Sequence, residues 1–198
     1  MRTLIAGSLG LLALATTGSP AAAQTFDQNK AQCVSGASAD LRVKACTALI
    51  NSGQVSGRSL AAVHGLRGNA YLAAKDYDHA IADFGEVIRI NPQDAEAFSE
   101  RGIAYHQQNK DDLAIADYDE AILLNPQLPR AYYNRGNVHL ANKNYERAIA
   151  DYDEAIRLSP QLAVAFVNRS LAESALGRTA QSEADLAKAR SIDPNAGK

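Results

Sequence analysis

The sequence predicts an all-α fold, a right-handed solenoid of antiparallel helix pairs, and three observations predict it. Prolines stand at 92, 126, 160 and 194, each 34 residues after the last, and a fixed period of that length marks a chain of stacked supersecondary units. Small and aromatic residues return in register within the period: Gly68, Gly102 and Gly136; Ala80, Ala114 and Ala148; Phe84, Tyr118 and Tyr152. Each block also divides into two amphipathic segments of helical length joined by a short polar turn, about 59–74 and 77–90 around Lys75-Asp76 in the first.

In chain order, residues 1–23 read as a signal peptide. Arg2 gives a basic start, Leu4 to Ala15 is an apolar run, Gly18-Ser19-Pro20 breaks it, and Ala21-Ala22-Ala23 supplies small residues for cleavage. The run is too short to span a bilayer, so the expected product begins at Gln24 and is periplasmic or secreted, with no membrane insertion after cleavage. Residues 24–58 form a degenerate first hairpin. Carrying the period backwards places Cys33 at the position of Arg67 and Cys46 at that of Ala80, which face each other across a hairpin. An exported chain meets oxidising conditions, so a disulfide is expected to staple this segment, which Ser35-Gly36-Ala37-Ser38 interrupts; two free thiols are the alternative.

The blocks 59–92, 93–126, 127–160 and 161–194 then follow without a gap, with 195–198 as a tail. Gly102 and Ala114 let two helices approach, and Phe98, Tyr105 and Tyr118 fill the space around the contact. The prolines end each second helix, where an interior proline would cost about 3 kcal/mol. One hairpin cannot bury its apolar face alone, so the units must stack. The order aromatic, x2, L, G, x2, Y, then A, x3, F, then P resembles the tetratricopeptide repeat, and the resemblance covers residues 59 to 194. Departures are His64 for the first aromatic of unit one, His139 for the tyrosine of unit three, and Ser170 and Glu173 for glycine and tyrosine in unit four. The last copy is therefore expected to be weakened.

The most acidic phrase, IADYDEAI, occurs from Ile115 and again from Ile149. At about 100° per residue Ala114, Ile115, Tyr118, Ala121 and Ile122 form one buried arc, Asp117 lies at its rim, and Asp119 and Glu120 diverge into solvent. Diverging carboxylates do not converge on a metal or a scissile bond. Asp83, Asp117, Asp151 and Asp185 each follow an arginine, Arg67, Arg101, Arg135 or Arg169, by 16 residues. Each guanidinium is expected to reach the rim aspartate of its own or a neighbouring unit.

No catalytic motif is present: no G-x-S-x-G, no H-E-x-x-H, no P-loop and no dinucleotide-binding glycine loop. His64, His79, His106 and His139 lack the i, i+4 pairing of metal ligands. A formal charge of −2 without Lys/Arg blocks argues against nucleic acid as a partner. The expectation is thus a protein that is not an enzyme and needs neither cofactor nor metal. The resemblance implies protein or peptide binding in a concave groove lined by the first helices. Asn69, Glu100, Gln107, Arg130, Tyr133, Asn134, Asn137 and Asn168 fall on that arc, where asparagines can hold a backbone, Tyr133 offers a flat face, and Arg130 suits an acidic segment. Members of the family that clamp a C-terminal carboxylate use Lys and Asn where this chain has Gly65 and Asn69, and Asn where it has Glu100, so such capture is not expected. Self-association through the C-terminal repeat is the alternative, because Thr179 to Ile192 has little chain after it to cover its outer face.

Overall fold

The computed structural model describes residues 24–197, and the signal-peptide reading lies outside them. The described residues form ten helices: α1 Phe26–Ser35, α2 Ala39–Asn51, α3 Gly57–Ala73, α4 Tyr77–Ile90, α5 Ala95–Gln107, α6 Asp111–Leu124, α7 Pro129–Ala141, α8 Tyr145–Leu158, α9 Ala163–Ala175 and α10 Thr179–Ile192. They pack as five consecutive hairpins, which is the predicted all-α solenoid. The second helix of unit one has the expected bounds, and the first begins two residues early, after Ser56.

Local chemistry sets the ends. Thr25 and Gln28 make a reciprocal capping box on α1, and Ser38 accepts from Leu41 N on α2. Lys75, Asn109, Lys143 and Gly177, again 34 apart, take positive φ of 60°, 59°, 59° and 75°. This left-handed residue lets the following amide turn back, as when Asp76 N donates to Tyr71 O at 2.9 Å and Asn144 N to His139 O at 2.8 Å.

Inside the hairpins of units one to three a glycine admits an aromatic ring. A β-carbon at Gly102 would fall 2.8 Å from Tyr118 Cε1, and one at Gly136 equally close to Tyr152 Cε1. In unit four Ser170 takes the glycine's place and turns its hydroxyl onto Val167 O at 2.7 Å. First helices touch one another along the stack (α3 with α5, α5 with α7, α7 with α9), whereas second helices touch only the hairpin partner and the next first helix. Closer approach on one side bends the stack, so the first helices line its inner face.

Cys33 and Cys46 are joined, Cα to Cα 4.8 Å, and both are buried with Ala45, Leu49 and Val63. The staple occupies the hairpin position that the period assigns it. At the other end Ala196 packs with Phe166 and Ala189, and Gly197 lies against Leu186. The tail thus packs against the end of the last hairpin, while most of α10 stays exposed.

Candidate peptide-binding groove

Within each repeat the arginine and aspartate ladder ties the first helix to the second. Arg67 donates from Nε and Nη2 to Asp83, both at 2.8 Å, and Arg101 does the same to Asp117. Arg135 bonds Asp151 at 3.0 and 2.6 Å, and Arg169 bonds Asp185 at 2.8 and 2.6 Å. These aspartates are buried, and the fork of a guanidinium matches a carboxylate's two oxygens. The bond to Asp117 holds the Arg101 guanidinium above its ordinary pKa. Its planar head also lies over Phe98 and Tyr105, 5.5 and 5.8 Å from the ring centroids. Those aromatics are half-buried and cover the arginine, and Tyr105 also packs against Ala114 and Tyr118 as expected.

The ladder also crosses between units. Arg135 Nη1 donates to Asp119 and Arg169 Nη1 to Asp153, each at 2.5 Å. Asp119, read above as purely solvated, is therefore half exposed and half a tie to the next repeat. The signal was available in the sequence: Asp119 precedes Arg135 by the same 16 residues by which Asp151 follows it. Gly85 holds the equivalent position in unit one, and a β-carbon there would lie 4.0 Å from Arg101 Nη1. Arg67 instead finds the hydroxyl of Thr47 at 2.9 Å.

His64 and His139 take aromatic positions with different outcomes. His64 Nδ1 lies 2.8 Å from Asp83 Oδ1. His139 approaches Asp151 only to 3.9 Å, and its Nδ1 is buried without a partner. Burial pushes the His139 pKa down, against the pull of Asp151. Among the described residues no group of three or more His, Cys, Asp or Glu is placed to hold a metal ion, and no helix is long and apolar enough to cross a membrane.

The arc residues fall into three groups. Tyr133, Asn137 and Asn168 are tied together: Asn168 Nδ2 donates to Tyr133 Oη at 3.2 Å and to Asn137 Oδ1 at 2.8 Å, and Tyr152 Oη donates to Asn137 Oδ1 at 2.9 Å. The tie spans α7, α8 and α9 and fixes the Tyr133 ring 6.0 Å from that of Tyr152. Arg130 is ion-paired with Glu100 across α5 and α7, so its charge is met within the protein. Burial raises the Glu100 pKa, and Arg130 opposes the rise. Asn69 is exposed, Gln107 accepts from Tyr77 Oη at 3.4 Å, and Asn134 Nδ2 is buried with no partner.

Two features of this face were not read from the sequence. Val164 and Leu171, 49% and 54% exposed on α9, stand in repeat register with Arg130 and Asn137 and carry the face into the last unit as an apolar stripe. A hollow of about 320 Å³ lies between α3, α4 and α5, lined in part by Gly65, Asn69, Phe84, Val87, Glu96 and Glu100. Neither is visible without the register and the neighbouring helix.

A TPR repeat model matches residues 68–109 and 102–143, and a tetratricopeptide repeat model matches 129–162. The chain is a tetratricopeptide-repeat protein. Its fold is that of protein-interaction scaffolds. The crystal structure of MamA superposes with a TM-score of 0.72 at 20% identity, over 87% of this chain and 96% of that one. MamA 41-end from Desulfovibrio magneticus RS-1 gives 0.74 at 15% identity, over 87% and 96%. The first TPR of Spaghetti (RPAP3), bound to the HSP90 peptide SRMEEVD, gives 0.59 at 28% identity, over 62% of this chain and 99% of that one. No curated protein matches the chain in sequence.

Proposed function

We propose that this tetratricopeptide-repeat protein is an exported, non-catalytic scaffold that holds an extended segment of a protein or peptide partner along its first-helix face. The observation that carries the reading is the inner face itself. It joins a hollow of about 320 Å³, an anchored tyrosine and an exposed Val164/Leu171 stripe on one concave surface. A rigid aromatic anchor flanked by polar side chains lets an extended chain bind without a large ordering cost. The first TPR of Spaghetti (RPAP3), whose structure holds a peptide, supports peptide binding as the use of such a repeat. The buried Cys33–Cys46 disulfide supports a periplasmic or secreted location.

The test places a photo-crosslinking amino acid at Asn69 or Arg130 on the inner face, and at Ala116 or Leu123 on exposed faces of α6. Adducts in the producing cell from the first pair alone support the groove; adducts from α6 alone would remove it. Terminal sequencing of the exported protein is expected to begin at Gln24.

The exposure of Val164 and Leu171 favours a second reading, self-association through the last repeat. Light scattering over a concentration series, with Leu171→Glu as the comparison, separates the two.

A further inference from the structure

We infer that the N-terminal half of the groove selects a partner segment bearing a lysine or arginine, whose aliphatic stem enters the hollow between α3 and α5 and whose cationic head lies against Glu96 and Glu100. The inference rests on the peptide-binding reading above. The hollow exists because Gly65 stands where the repeat register puts Ser99, Tyr133 and Val167, so no side chain of its own fills the space beside Phe84 and Val87. Its walls there are apolar, with Ala61, Ala62 and Ala97 completing them. A long unbranched stem with a charged tip is the side chain that buries its methylenes on such walls and keeps its head at a polar rim.

The rim carries three carboxylates, Asp94, Glu96 and Glu100, against one guanidinium, Arg58. Asp94 is engaged as the cap of α5, accepting from Ala97 N at 3.1 Å. Glu96 is exposed, and Glu100, its side chain 13% exposed, lies one turn further on the same helix and is met from the far side by Arg130. Like charges at this spacing repel, and a cation between them removes the repulsion. A second observation points to the same ligand. Ser99 is 2% exposed, its hydroxyl has no partner, and it lines a narrower cavity of about 110 Å³ that shares Glu96 and Glu100 with the hollow and is closed by Leu128 and Arg130. Among the described residues Glu96 carries no ion pair, Glu100 keeps accepting lone pairs beyond its pair with Arg130, and the buried Ser99 hydroxyl is unmatched, so an ammonium or guanidinium with its three to five donors finds acceptors here. An acidic side chain in the same place would meet the like charge of Glu96 and Glu100.

Random linear peptides displayed on phage and panned against the purified protein test this directly. Recovered peptides are expected to share a lysine or arginine. Calorimetry with a synthetic copy is expected to show binding weakened about tenfold or more when that residue becomes alanine, the loss of a charge-assisted contact. Glu96→Gln, on an exposed side chain, and Gly65→Leu, which fills the hollow, are expected to weaken the same peptide with unchanged helical circular dichroism. Peptides without a basic residue that lose affinity to Tyr133→Ala but not to Glu96→Gln would overturn this inference and leave the groove reading standing. Failure to recover any peptide sensitive to a groove substitution would overturn both.

Discussion

Asp151→Ala tests whether the ladder carries stability. Asp151 accepts two charge-assisted bonds from Arg135, at 3.0 and 2.6 Å, and its side chain is 7% exposed. Breaking a buried pair by removing one partner costs about 3–5 kcal/mol, because the remaining charge loses its partner away from water. Arg135 is 22% exposed and keeps Asp119, so part of that cost is recovered and about 2–3 kcal/mol is expected. Asp119→Ala removes one bond from a carboxylate that is 56% exposed, and the expected loss is about 0–1 kcal/mol. With a urea slope of roughly 2 kcal/mol per molar, the Asp151 variant should unfold about 1–1.5 M earlier than the parent and the Asp119 variant within about 0.5 M of it. Adding Arg135→Met to Asp151→Ala should cost less than the two single changes summed, since the pair then leaves together. Equal midpoints for the two aspartate variants, or a loss below about 1 kcal/mol at Asp151, would refute the assignment of the buried rung as the stabilising one.

Gly85→Asp supplies the carboxylate that Arg101 lacks, and together with the better helix propensity it should stabilise by about 1 kcal/mol, read as a higher urea midpoint whose gain shrinks in salt. Cys46→Ser should lower stability by about 3 kcal/mol, and reductant added to the parent should reproduce the shift; a parent indifferent to reductant would contradict the staple. His139 has a folded pKa below its ordinary 6.5, so below that value the unfolded chain binds more protons and stability falls as pH drops. His139→Tyr, which restores the residue type of Tyr71 and Tyr105, should lack this loss when denaturation is compared at about pH 7 and about pH 5.5.

The 34-residue period made the fold legible because units one to three repeat the same solution to the same packing problem: a glycine, an alanine and an aromatic meet in each of their hairpins. The cysteine pair was legible for the same reason, since the period gave both residues an address before any geometry was known. What escaped depends on more than one unit. Arg135 has an aspartate 16 residues away in both directions, and only the stacking shows that it holds both. Asn137 and Asn168 were read as residues of the inner arc, but their mutual bond, which leaves them less free for a partner, joins two helices that are distant in sequence. The hollow at Gly65 is a property of what α5 does not reach. The packing of Ala196 had no periodic signal to announce it.

The uneven distribution of carboxylates along the ladder gives the stack two kinds of seam. Units two to three and three to four are joined partly by half-exposed ion pairs, Asp119 with Arg135 and Asp153 with Arg169. Units one and two, with Gly85 at the matching place, rely on apolar contacts such as Ala61, Val87 and Ala97. Mobile ions screen the first kind, while strongly hydrated salts such as sulfate strengthen the second. A rise in ionic strength therefore loosens the C-terminal seams and spares or tightens the N-terminal one, so the solution in which the protein works sets which end of the superhelix is the stiffer.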